Sequence, residues 1–397
     1  MNCAMDVNTI HYDNHLMELL KSARANDYAG YSKFDALNSP LLKAVTLNNK
    51  WLRLLFTQAV TGCHVNLRPL LGVRKSRNPK GIALFARSYL FLHGKTGGRE
   101  SSDYLQEALS LLQWLLENPS PNQRNACWGY NFIWQNTIFL QDMFEPNIVV
   151  TVFVGEALMH AYRVTGNRLY LDNACSVARF LIEDLPVLYD DANERAIAYV
   201  LRKVDAVVLN NNALAGAFLI KLWKETGENE LRKTAEKLIA YTVNRRTDYY
   251  AWYYTYPREK SPITHDNYHT GGILDALLEY YEETGDDRFM DCYRKGLEFY
   301  RRELFEPDGA PKWMYNRRYP HDIHGAAQGI VTFAKAGRHN AVFRDQAEKC
   351  ASWAFKTLYR LESADYAYRE GRFMKWNYSL MRWCNAWMAR ALGELIR

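Results

Sequence analysis

The chain has 397 residues, 48% of them apolar and 14% aromatic, with 50 Lys and Arg against 44 Asp and Glu for a net charge of +6. That is enough apolar material for a large core in one long unit, while the charge is too mild and too interspersed for a nucleic-acid arm. No run approaches the roughly 20 apolar residues of a membrane-spanning helix, so no membrane insertion is expected.

Met1 to Asp27 lacks a basic start followed by an apolar run, which argues against an export signal. Cys3, Cys63, Cys127, Cys175, Cys292, Cys350 and Cys384 are odd in number and scattered, without CxxC spacing. This is the usage of a reducing compartment, and a cytoplasmic protein is the expectation.

In chain order, residues 1–30 read as an N-terminal extension and 31–397 as a single domain. An amphipathic segment at 43–60 comes first. A turn then recurs at Thr96-Gly97, Thr165-Gly166, Thr226-Gly227 and Thr284-Gly285, with a looser version at Ala336-Gly337. Gly there supplies a left-handed helix end. Before each turn lies a helix that is apolar over most of its circumference: 80–93, 148–164, 211–225, 269–283 and 323–336. After each lies a more amphipathic one: 102–117, 168–183, 229–244, 287–302 and 342–358. A last apolar helix at 380–396 resembles the first set, and 43–60 is the candidate for its outer partner. Helices that are apolar all round are enclosed by protein, whereas single-striped ones face solvent. About six of each, alternating, predict an all-α (α/α)6 toroid, with inner and outer rings.

In such a ring the inner helices run parallel, so their N-termini meet at one mouth. The sequence concentrates unusual polar and aromatic residues there. Trp128, Tyr130, Asn131, Trp134, Gln135 and Asn147 precede the second inner helix, and Asn211 lies at the start of the third. His265, Asp266, Asn267, Tyr268 and His269 precede the fourth. Asp322 and His324 precede the fifth, with Gln328 one turn later, and Arg382 and Trp383 open the sixth. Asn and Asp are also preferred N-caps, so each of Asn147, Asp266 and Asp322 has a second, structural reading. Capping does not call for His265, His269 and His324 beside them. There is no HExxH, no GxSxG, no Walker loop and no Rossmann fingerprint, and neither a metal nor a cofactor is expected. Acid–base chemistry on a sugar remains. Glycoside hydrolysis needs two carboxylates, and Asp266 and Asp322 are the pair that can be placed. A uronic-acid epimerase or lyase needs a base such as Tyr268, His269 or His324, with Asn211, Gln328 and Arg382 to neutralise the carboxylate.

The stretches WGYNFIWQ, PNIVVTVFVGEAL, NNNALAGA, HDNYHTGGILDALLEYYEETGD, YPHDIHGAAQGI and MRWCNAW resemble bacterial proteins of capsule and exopolysaccharide biosynthesis in the six-hairpin glycosidase-like superfamily. The resemblance runs from about Tyr28 to Leu392. It implies a toroid with its site at the inner-helix N-terminal mouth, and a glycan partner, anionic or lipid-linked, alongside other glycan-biosynthesis enzymes. The adjacent Asp pair of one endo-mannanase group is not matched, since Asp190-Asp191 and Asp286-Asp287 fall on outer turns. The leading expectation is an intracellular hydrolase using Asp266 and Asp322. A uronosyl C5-epimerase or lyase comes second, and a non-catalytic glycan-binding assembly protein third.

Overall fold

The computed structural model describes residues 11–397; Cys3 and the first ten residues of the expected leaderless start lie outside them. Six inner helices form a closed ring: α4 (Pro79–Lys95), α6 (Ile148–Thr165), α8 (Leu209–Thr226), α10 (Asn267–Thr284), α12 (Ile323–Gly337) and α14 (Trp387–Ile396). Each packs on the next, and α14 packs back on α4. The outer helices α5 (Gly98–Glu117), α7 (Arg168–Arg179), α9 (Asn229–Asn244), α11 (Met290–Glu303) and α13 (Ala341–Leu358) each cover an inner partner. This is the (α/α)6 toroid that the alternation of the two helix types predicts.

The sixth outer helix differs from the expectation. It is α1 (Tyr12–Ala25), packed on α14 through buried Leu16, Leu19, Leu20 and Ala23, so residues 12–25 belong to the ring rather than to an extension. The segment 43–60 instead forms α2 (Pro40–Val45) and α3 (Lys50–Gly62), which pack on a single 3-10 turn at Asp35–Asn38. Its apolar stripe fitted an outer helix equally well, because periodicity cannot say which surface an amphipathic helix covers. A buried ion pair ties this segment down: Arg68 Nε lies 2.5 Å from Asp35 Oδ1, and its guanidinium also donates to the carbonyls of Ser32 and Lys33.

The recurring turns have a physical reason on both sides. Thr96, Thr165, Thr226 and Thr284 each donate the hydroxyl to the carbonyl four residues back, at 2.7–3.0 Å, satisfying an orphan helix-end acceptor. Gly166, Gly227 and Gly285 then adopt φ of 68°, 76° and 71°, the left-handed cap that favours glycine. At the first turn the left-handed residue is Gly98 rather than Gly97, and Ala336-Gly337 ends without one. Of the described helices only α6 is long and apolar enough to cross a membrane, and it is an inner-ring helix.

Candidate active site

The ring encloses a pit of about 470 Å³. Three inner helices, α8, α10 and α12, present side chains to it at steps of four, three and four residues, which keep one row on one helix face. The row on α8 is Asn210, Leu214, Ala217 and Lys221. On α10 it is Tyr268, Gly272, Asp275 and Glu279, and on α12 it is His324, Gln328, Val331 and Lys335. The other helices contribute Lys80 and Arg87, Val149, Phe153 and Glu156, and Trp383, Trp387 and Arg390 in the same registers. Aligned rows divide the pit into a mouth of imidazoles, amides and aromatics and a floor of charges.

The floor is a belt of alternating ions drawn from successive inner helices. Arg87 lies 3.5 Å from Glu156, Glu156 2.7 Å from Lys221, Lys221 2.8 Å from Glu279, and Glu279 2.6 Å from Lys335. Arg390 and Glu394, 2.6 Å apart on α14, complete it. Burial alone would raise the carboxyls, but Lys221 and Lys335 hold Glu279 far below the ordinary carboxylate range, and Arg390, Lys335 and Arg338 do the same for Glu394. Asp275, one layer up, differs: burial wins, its pKa is raised, and its Oδ1 has no partner. Its Oδ2 accepts from Gln328 Nε2 at 3.0 Å.

At the mouth, Asp266 caps α10 by accepting the His269 backbone N–H at 3.0 Å. Its other oxygen accepts the His269 Nδ1–H at 2.8 Å. That bond fixes the tautomer and leaves Nε2 as the basic nitrogen of a side chain that lines the pit. Tyr268 contacts both imidazoles: its ring is 4.4 Å from His269 and stacks on His324 at 4.7 Å with 5° between planes. His324 is buried, neither ring nitrogen has a partner, and desolvation with the cations Lys80 and Arg382 holds it neutral, well below its ordinary pKa. Burial together with Asp266 and Asp322 pushes the Tyr268 phenol far above its ordinary value, and its ring is a stacking surface for His324.

Of the residues singled out from sequence, Tyr130, Trp134, Gln135, Asn211, Tyr268, His269, His324, Gln328, Arg382 and Trp383 line the pit. The others do not. Trp128 is core, its indole N–H on the Leu115 carbonyl. Asn131 bonds Asn78, Ser76 and Asn38 behind the wall, Asn147 caps α6, and Asn267 donates to the Leu304 carbonyl. His265 donates Nδ1–H to the Trp252 carbonyl at 2.7 Å and accepts the Tyr249 hydroxyl on Nε2 at 2.9 Å. Asp266 is itself off the pit but bonds His269, which lines it.

Asp322 departs furthest from its expected catalytic role. It caps α12 on the His324 N–H at 2.9 Å, accepts the Trp383 indole N–H at 2.7 Å, and faces buried Lys33 at 3.6 Å. Both hydrogen bonds fall on Oδ1, Oδ2 has no hydrogen-bond partner, and Asp322 is not among the residues that line the pit. Asp322→Asn, which keeps an acceptor at the cap, should retain turnover, and Asp322→Ala should lose about 1 to 2 kcal/mol of stability on cap loss alone, read by urea denaturation. Turnover abolished in a fully folded Asp322→Asn would restore its catalytic role.

Sequence reasoning missed Lys80, Arg87, Glu156, Lys221, Glu279, Lys335 and Arg390. A signal existed. Arg87, Glu156 and Lys221 are single charges within apolar runs, as in GIALFARSYL or ALAGAFLIKLW, and a charge enclosed on all sides needs a partner. The even interspersion of charge also has an exception: Ala36 to Arg99 contains no Asp or Glu. Among the described residues no group of three His, Cys, Asp or Glu could hold a metal ion.

Residues 129–298, less than half of the chain, match the model described as beta-L-arabinofuranosidase, GH127 catalytic domain. No curated protein matches. Solved structures with the same fold include a sugar epimerase from a ruminal bacterium, at TM-score 0.64 and 14% identity over 82% of this chain and 90% of that one. A GH76 alpha-mannanase of Bacteroides thetaiotaomicron superposes at 0.62 and 15% identity, covering 81% and 86%. An unsaturated glucuronyl hydrolase specific for heparin does so at 0.62 and 14%, covering 97% and 95%. The toroid is thus a fold shared with glycoside hydrolases and sugar epimerases.

Proposed function

We propose that the pit is the active site of a carbohydrate-active enzyme that moves a proton at a sugar carbon, in the manner of an epimerase or lyase. His269 is the base and Asp266 its orienting carboxylate. The observation that carries this reading is the 2.8 Å Asp266–His269 bond at the mouth, which engages Nδ1 and leaves Nε2 as the available nitrogen of a pit-lining side chain. Nε2 takes the proton from a carbon beside a carbonyl or carboxylate, and Asp266 stabilises the imidazolium that forms. The Tyr268 phenol then delivers a proton to the opposite face of that carbon, which inverts it, or the substituent on the neighbouring carbon leaves with its electron pair. Asn210 and Asn211, whose side-chain amides have unpartnered atoms, serve sugar hydroxyls, and Tyr130, Trp134 and Trp383 give apolar faces for the ring.

Hydrolysis is the second reading. It is favoured by the arabinofuranosidase match and by Asp275, a pit-lining carboxyl whose pKa burial raises, the direction a general acid requires. It replaces the Asp266 and Asp322 pair. A role in surface-polysaccharide assembly within the cytoplasm, with lipid-linked precursors and partner enzymes, is part of the proposal and rests on the resemblance of the quoted stretches alone.

Proton NMR of the protein with neutral and acidic oligosaccharides in deuterated water separates the readings. Deuterium entering at a ring carbon, or a new unsaturated sugar signal, is the expected result. New reducing ends without exchange would replace it with hydrolysis through Asp275. Tight binding with an unchanging spectrum would favour a non-catalytic glycan-binding protein.

A further inference from the structure

The wall between α4, α12 and α14 is cationic and has no anion. Lys80 is 5% exposed and forms no ion pair; its ammonium lies 4.0 Å from the Phe153 ring centre and 4.8 Å from that of Trp387. Arg382 is 3% exposed, and its Nε has no partner. The guanidinium rests over Tyr130 at 5.1 Å. His324 adds two more unpartnered nitrogens. The belt carboxylates are committed elsewhere, Glu156 to Arg87 and Lys221 and Glu279 to Lys221 and Lys335, and Asp322 turns to Trp383 and Lys33. Lys80 lies in the acid-free run from Ala36 to Arg99, so its own neighbourhood in sequence offers no counterion either.

A buried, unpaired ammonium is costly, and the ring π faces beside it offset that only in part. Such a cost persists where the charge meets its partner in a ligand. We infer that Lys80 and Arg382, with His324, form a subsite for an anionic group of the substrate: a sugar carboxylate or a sugar phosphate. The inference rests on the pit being the active site and names the substrate class it takes.

The chemistry fits. A carboxylate held between an ammonium and a guanidinium loses the negative charge that opposes removal of the neighbouring C–H proton, which is the step assigned to His269. Burial depresses both Lys80 and Arg382, and Arg382 lowers Lys80 further, which is the state an incoming anion relieves. The floor cations each face a carboxylate already, so an anion gains less there than beside Lys80, which has none.

The test is a titration of tryptophan fluorescence, with Trp383 and Trp387 at the subsite, using sodium glucuronate, glucose 6-phosphate, inorganic phosphate and glucose as probes. Glucuronate or glucose 6-phosphate should bind the wild-type protein at least tenfold more tightly than glucose. The preferred probe identifies carboxylate or phosphate as the natural group; inorganic phosphate binding as well as glucose 6-phosphate assigns the recognition to the anion alone. Lys80→Met should abolish the preference and raise the melting temperature by a few degrees, because it removes an unpaired buried charge at nearly constant volume. Arg382→Gln should also abolish it and decides the question where Lys80→Met does not fold. His269→Gln should keep the preference, since it removes the base alone; retained preference with lost turnover separates the subsite from the catalytic proposal. Equal or absent binding of all four probes, or a preference that survives both variants, overturns the subsite.

Discussion

His269→Gln should lower turnover by about two to four orders of magnitude, the range general acid–base catalysis contributes, with the melting temperature nearly unchanged. The side chain is half-buried at the pit wall and its one bond is to Asp266, so the core loses little. Asp266 is the sharper probe because its two oxygens do different things: one caps α10 and the other orients the imidazole. Asp266→Asn keeps an acceptor for the cap but need not hold the Nδ1–H, so turnover should fall by about two orders of magnitude or more while the fold persists. Asp266→Ala should lose both, with about 1 kcal/mol of cap stability gone. Steady-state rates beside urea midpoints for the three variants check this. If Asp266→Asn unfolds as readily as Asp266→Ala while the remaining folded enzyme turns over normally, Asp266 is a cap and His269 acts without it.

How these roles were divided was only partly legible in the sequence. The toroid was legible because a closed ring needs two helix types in alternation, and α6 and α8, apolar all round, contrast with α7 and α9. The mouth was legible because Asn and Asp must cap helices that converge on one place. What the sequence could not say is which way a capping carboxylate turns. Asp266 and Asp322 occupy the same position one helix apart, each bonded to a nearby backbone N–H. Asp266 has His269 three residues on, close enough for its second oxygen. At Asp322 the competing donor is the indole of Trp383, distant in sequence. The same limit hid α1: four buried residues of an amphipathic helix near the start of the chain carry no mark of the helix they cover.

The belt at the floor sets the second large effect. Glu279→Gln should destabilise the protein by about 3 kcal/mol, because Lys221 is left to share Glu156 with Arg87 and Lys335 is left with Asp275 at 3.4 Å. Replacing Lys221, Glu279 and Lys335 together by Met should cost less than the single change, since no member of that trio is then orphaned and Glu156 keeps Arg87. Acid acts on the same group. The Glu279 carboxyl is depressed in the fold from its ordinary 4.5. Its contribution is therefore complete above about pH 4.5 and is lost as pH falls towards the folded value. Urea midpoints of the wild-type protein should thus drop below pH 4.5, and those of Glu279→Gln should lack that part of the fall. A single substitution costing under about 1 kcal/mol, with no difference in acid sensitivity, would mean that water reaches the floor and screens the belt. The pit would then be open through its depth, and the dry, charge-matched floor that leaves an incoming anion only Lys80 and Arg382 as partners would be lost with it.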